Sequence, residues 1–122
     1  MFSRLIGNAT KMDNKDATKD LKNILIKGEV IELAFRVVRD MIVFTNLRAL
    51  FCDVAGVTGR KKIYHSIPYR SIGHFSIETA GSFERDIDLK LWVRGLDEPI
   101  ESELKKGGKT VLEIQRILLK YM

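Results

Sequence analysis

The chain has 122 residues, 45% of them hydrophobic and 30% charged, with two prolines and a formal net charge of +5. That length builds one domain able to bury roughly two thirds of the surface its unfolded form exposes. The balance is that of an ordinary folded protein, which excludes a disordered or fibrous chain.

Residues 1–27 read as one or two N-terminal helices. Phe2, Leu5, Ile6 and Ala9 recur at helical spacing and predict a short amphipathic helix. A second helix is expected from Asp13, an N-cap type, with Asp16 in its first turn near the positive end of the dipole. Ala17, Leu21, Ile24 and Leu25 form its apolar stripe, and Gly28 ends it. Both helices are expected to pack on a β domain over 28–122; a membrane-surface role for the Phe2 stripe is the alternative.

From Glu29 the period changes to two. Over Val30–Val38, Ile31, Leu33, Phe35 and Val37 share a face, and Glu32 and Arg36 lie opposite. Arg39-Asp40 is a tight reversal. Further strands are expected over Met41–Thr45, Arg48–Val54, Lys62–Ile67, Ile72–Thr79, Asp86–Arg94 and Pro99–Leu104, with a turn at Ala80-Gly81-Ser82. After Gly107-Gly108 the period is helical again. Thr110 and Glu113 have capping-box spacing, and Val111, Ile114, Leu118 and Tyr121 form a stripe widened by Leu112 and Ile117. Seven short antiparallel strands and a terminal amphipathic helix predict a mainly β protein: a partly open barrel plugged by that helix.

Charge alternates in blocks. Residues 55–70 carry Arg60, Lys61, Lys62 and Arg70 with no acid. Residues 71–104 carry eight acids against three bases, and residues 105–122 are basic again. Nucleic-acid binders concentrate one sign on one face, so nucleic acid is not an expected partner. Gly56 and Gly59, followed by Arg60 and Lys61, imitate a phosphate grip. A phosphate-binding Walker loop, however, needs four residues between its glycines and a following helix, and here strands flank the pair. The segment reads as a hairpin turn whose glycines supply positive φ.

No convergent catalytic set is present. Cys52 and His65 lie on strands flanking that hairpin, and some registers would bring them together, but no third orienting group is evident. His65, His74 and Cys52 lack metal-ligand spacing. No enzyme, cofactor or metal is therefore expected. Trp92 stands opposite in phase to Ile87, Leu89, Leu91 and Val93, between Lys90 and Arg94. It is either an exposed interface anchor or the residue that helix 13–25 covers. Asp86 and Asp88 share its face and suit a partner's basic groups.

Cys52, the one cysteine, excludes an internal disulfide and fits a reducing compartment. No apolar run approaches the ~20 residues of a membrane span, and the opening MFSRLIGNATKMD lacks the apolar core of a secretion signal. A cytoplasmic location is expected.

The block RDMIVFTNLRALFCDVAGVTGRKKIYHSIPYRSIGHFSIETAG resembles the bacterial pleckstrin-homology (PH-like) domains. The resemblance rests on Arg39-Asp40, Phe44-Thr45-Asn46-x-Arg48, the 56–59 hairpin, Ser66-Ile67-Pro68-Tyr69 and Phe75-Ser76-x-Glu78-Thr79-Ala80-Gly81. LIGNA near the start, Trp92 and the ending EIQRILLKYM extend it to nearly the whole chain. It implies a seven-stranded PH-like barrel capped by the C-terminal helix, no assigned enzymatic activity, and homo-oligomeric rings, pentameric in form. A ring needs two unlike complementary surfaces, which the charge blocks and the Trp92, Lys90, Arg94, Asp86, Asp88 face could supply. The expected function is thus a self-assembling scaffold or adaptor that binds itself and another protein. The alternative is a peripheral binder of anionic lipid through Arg60, Lys61, Lys62 and Arg70 with the N-terminal stripe. The phosphoinositide site of eukaryotic PH relatives does not carry over, because the Val38-Arg39-Asp40 turn is minimal and its acid would oppose a phosphate.

Overall fold

The structure is a computed structural model and describes residues 4–79, 86–105 and 110–122, with side chains from Ala9 onward. Its elements follow in the order β1 (Arg4–Lys11), α1 (Asn14–Asp20), β2 (Ile31–Val37), β3 (Asp40–Thr45), β4 (Arg48–Ala55), β5 (Lys61–Pro68), a 3-10 turn (Tyr69–Ser71), β6 (Ile72–Thr79), β7 (Ile87–Val93), β8 (Ile100–Leu104) and α2 (Val111–Tyr121). The strands form one sheet ordered β5-β4-β3-β2-β1-β8-β7-β6. It curls around a single core, in which Leu33, Phe35, Ile42, Phe44 and Phe51 of one half meet Ile87, Leu89, Leu91, Ile100 and Leu104 of the other. Val111, Ile114, Ile117 and Leu118 of α2 fill the same core as a plug.

The seven expected strands are all present, and an eighth joins them. Residues 4–11, expected to be helical, form β1, which pairs antiparallel with β2 and parallel with β8. Leu5 and Ile6 therefore belong to a strand, and Phe2 lies outside the described residues. The reason is tertiary. A short segment with sparse apolar residues fits either period, and the gap between β2 and β8 selects the extended form. The ladder shifts register between Leu5 and Asn8, around Gly7, as an isolated glycine in a strand often signals.

Asp13 caps α1 as expected, its carboxylate accepting from the Lys15 N–H at 2.7 Å. The helix is shorter than its stripe suggested. It stops at Asp20, and Leu21 to Gly28 continue as turns, with Gly28 at φ +86°. Ala17 and Leu21 still pack as expected, against Ile31, Ala34, Met41, Val43, Leu50 and Cys52 on the outer face of β2–β4. Those three strands are therefore buried on both faces, which explains the nearly unbroken apolar runs Met41–Phe44 and Ala49–Cys52.

Ile31 departs from the expected alternation. The β2–β3 register shifts between Ile31 and Leu33, so one extra residue, Glu32, turns Ile31 toward α1 while Leu33 and Phe35 face the barrel. The reversal also sits one residue earlier than expected: Val37 pairs with Asp40, leaving Val38-Arg39 as a two-residue turn. In α2, Thr110 makes no capping hydrogen bond with its side chain, and Glu113 instead reaches Lys11 at 3.5 Å. Leu112, expected to widen the buried stripe, is exposed. The turn expected at 80–82 and the glycine pair 107–108 lie outside the described residues.

Candidate functional site

One end of the barrel is closed by a polar clasp. The Arg48 guanidinium donates to both Glu29 carboxylate oxygens, Nε at 2.8 Å and Nη2 at 2.9 Å. It also donates to the Ile24 carbonyl at 3.1 Å and to Ser66 Oγ at 2.7 Å. The Thr45 hydroxyl donates to Glu29 at 2.7 Å, and the Ile26 N–H donates to it at 3.1 Å. Burial alone would raise the Glu29 carboxyl, but the Arg48 guanidinium, the Thr45 hydroxyl and the Ile26 N–H together hold it below the ordinary range. Asn46 completes the clasp by accepting from the Val30 N–H at 2.7 Å and donating to the Gly28 carbonyl at 3.1 Å. The Thr45-Asn46-x-Arg48 motif thus ties the 21–30 segment to the β3–β4 turn. Its role is architectural, and Glu29, its essential partner, carried no motif of its own in the sequence.

At the same end Tyr69 and Tyr121 stack with ring centroids 5.2 Å apart. Tyr69 donates to the Thr45 carbonyl at 2.5 Å, and burial pushes its hydroxyl well above the usual value. Tyr121 donates to Glu32, the bulge residue, which latches α2 onto β2.

The opposite end carries two hairpin tips. The glycine loop is a hairpin turn between paired strands, with Val54 opposite Lys62 and Ala55 opposite Lys61. Gly56 and Gly59 take φ of +84° and +68°, as expected, and the Gly59 N–H closes the turn on the Gly56 carbonyl at 3.2 Å. That carbonyl also accepts from Arg39 Nη1 at 3.0 Å, binding the β2–β3 tip to the β4–β5 tip. A Cβ on Gly59 would stand 3.4 Å from the same guanidinium nitrogen. Arg60, Lys61 and Lys62 are exposed here. Arg70, grouped with them by the sequence, follows the far end of β5, where Pro68 pairs with Arg48. The seven steps from Lys61 to Pro68 place it about 23 Å away.

The outer face of β6–β7–β8 holds the remaining candidates. Cross-strand pairing sets His74 opposite Trp92, Ser76 opposite Lys90, and Glu78 opposite Asp88. Glu101 lies opposite Lys90, and Glu103 opposite Asp88. Asp86 lies just before β7, and Arg94 just after it donates its N–H to the Ser71 carbonyl at 2.8 Å. Trp92 is half-buried, because His74 stacks on it at 4.3 Å with an interplanar angle of 12°. Segment 13–25 does not cover it; α1 packs on the other half of the sheet, against β2–β4.

The register separates the one candidate nucleophile from its candidate base. Cys52 pairs with Tyr64, and His65 pairs with Phe51, so thiol and imidazole occupy opposite faces of the β4–β5 ribbon. Cys52 is buried under α1, and burial pushes its thiol up. Desolvation holds the His65 imidazole below its ordinary value. Among the described residues, no group of three His, Cys, Asp or Glu is placed to hold a metal ion. No helix among them is long and apolar enough to cross a membrane.

Comparison with known proteins agrees with this geometry. The uncharacterized protein YjqA of Bacillus subtilis (strain 168) is 43% identical over 114 residues, spanning 93% of this chain and 91% of its own. The crystal structure of a DUF1696-family protein with a pleckstrin-homology domain from Shewanella loihica PV-4 superposes with a TM-score of 0.80 at 45% identity, covering 95% of this chain and 98% of that one. A pleckstrin homology domain from Shewanella amazonensis SB2B follows at 0.67 and 46% identity, covering 96% and 94%. The bacterial PH domain model matches residues 1–122. With a curled eight-stranded sheet plugged by its C-terminal helix and a match along its whole length, this chain belongs to the bacterial PH domain family.

Proposed function

We propose that this protein is a non-enzymatic scaffold that joins copies of itself head-to-tail into a closed ring and presents the outer surface of that ring to other proteins. The observation that carries the reading is the pair of unlike sheet ends. The sheet terminates in β5 on one side and β6 on the other. β5 begins with exposed Lys61 and Lys62. The β6 end carries exposed Glu78, with Asp88 and Glu103 in the same cross-strand row. A free strand edge is a template for another chain, and proteins generally cover or blunt it. A basic edge and an acidic edge on one chain complement each other between copies, and such heterologous contacts close into rings when the rotation allows. His74 and Trp92 stand beside the β6 edge, where an incoming β5 would meet them. The opposed faces of Cys52 and His65 support the absence of catalysis.

Native mass by light scattering tests the reading. A defined multiple of 14.0 kDa is expected for the wild type. Lys61→Glu/Lys62→Glu should reduce it to the single chain, and adding Glu78→Lys/Asp88→Lys should restore it. A monomeric wild type, or a mass indifferent to these reversals, sinks ring assembly through these edges.

A further inference from the structure

Only one side of α2 serves as the plug. Val111, Ile114, Ile117 and Leu118 enter the core, and Tyr121 packs beside them. The solvent side of such a helix is ordinarily polar, and here it is not. Leu112 and Leu119 are 65% and 67% exposed, and Met122 at the helix end is 40% exposed. With half-buried Gln115 they occupy positions 112, 115, 119 and 122, in steps of three, four and three. That is the a/d spacing of a heptad seam. Seven residues carry the second leucine about 10.5 Å along the helix and bring it back to nearly the same direction. The flank of the seam is basic. Arg116 and Lys120 are exposed there, whereas Glu113, the one acid of α2, is paired with Lys11 at 3.5 Å. Neither the core nor the β5 and β6 edges draw on this side.

We propose that the solvent side of α2 is a docking seam for an acidic amphipathic helix of another protein. The partner lies along α2. Its apolar a and d side chains pack around Leu112, Leu119 and Met122, and its flanking carboxylates reach Arg116 and Lys120. Spacing selects a helix, because an extended strand presents same-face side chains about every 6.6 Å and would meet the leucines out of step. Charge selects an acidic one. The α2 of a second copy would set Arg116 and Lys120 against their own like charges. A bilayer would need a broad apolar face, and here Gln115 and Arg116 stand between the leucines. The inference rests on the adaptor half of the reading above and supplies its surface and partner class. Ring closure, read separately as native mass, can fail without it.

The test uses a synthetic peptide of three heptads with leucine at a and d and glutamate at e and g, and a second peptide with lysine at e and g. Fluorescence anisotropy of each labelled peptide is followed on titration with the full chain. The glutamate peptide should bind saturably, one per chain. Leu112→Asp/Leu119→Asp should weaken that binding about tenfold or more. Arg116→Glu should weaken the glutamate peptide and strengthen the lysine peptide, each several-fold. Melting temperature and native mass should stay at the wild-type values in both variants. Four results would overturn the proposal. The first two are no binding of the glutamate peptide, or binding that survives loss of both leucines. The third is a native mass that falls in Leu112→Asp/Leu119→Asp, which would mean that a second copy covers the seam. The last is partition onto phosphatidylserine vesicles that the same variant abolishes, which would give the seam to lipid.

Discussion

Arg48 and Glu29 are 19 positions apart and form the most buried ion pair of the clasp, with the Glu29 side chain wholly enclosed. Removing one member leaves the other charge without compensation. Arg48→Met is expected to lower the unfolding free energy by about 3–5 kcal/mol. Glu29→Gln should cost less, because the amide oxygen still accepts from Thr45 and Ile26. Urea titrations of both single variants and the double variant check this: the double should cost less than the sum of the singles, and strict additivity would deny the coupling. His65 makes a second, pH-dependent prediction. Burial lowers its pKa from 6.5, so the folded state binds fewer protons than the unfolded state. Its contribution is present in full above 6.5 and is lost as pH falls below that value. His65→Gln should flatten the stability curve just below 6.5, and an unchanged slope would assign acid sensitivity to the carboxylates instead. Cys52 and His65 show where reading single residues stops. The sequence placed both on adjacent strands, but their facing depends on a register that no local pattern encodes.

Among the elements, β7 was legible because one of its faces meets the core and the other does not, so polarity alternates along it. β1 was not, since its identity comes from the strands beside it, and Gly7 was its one local sign of a distorted ladder. The bulge at Glu32 was equally hidden. A single inserted residue leaves composition untouched while turning Ile31 to the other side of the sheet. The β2–β3 turn offers the test at this scale. If Val38, at φ +55°, stores backbone strain, Val38→Gly should raise the unfolding free energy by about 0.5–1 kcal/mol, the relief of the left-handed penalty exceeding glycine's entropic cost. Thermal melts would check it. A destabilised Val38→Gly would mean that the valine is held there by favourable contacts rather than against a backbone preference.

For the whole molecule, barrel and plug were readable from the two changes of period, near Glu29 and after Gly108, since each marks where the chain exchanges strand geometry for helix geometry. The order of strands was not readable, because β1 enters between β2 and β8 from the far end of the chain. The charge blocks were legible as numbers along the sequence and acquire meaning only when the fold carries them to opposite ends of one sheet. Unlike ends also give the molecule a polarity. A contact between identical surfaces turns its second copy upside down, whereas a contact between β5 and β6 repeats every copy in the same sense. Cyclic symmetry would then set the β2–β3 turns of all copies at one height along the axis, giving such an assembly a front and a back. A partner with repeated sites facing one side would be held by several copies at once, although no single copy binds more tightly.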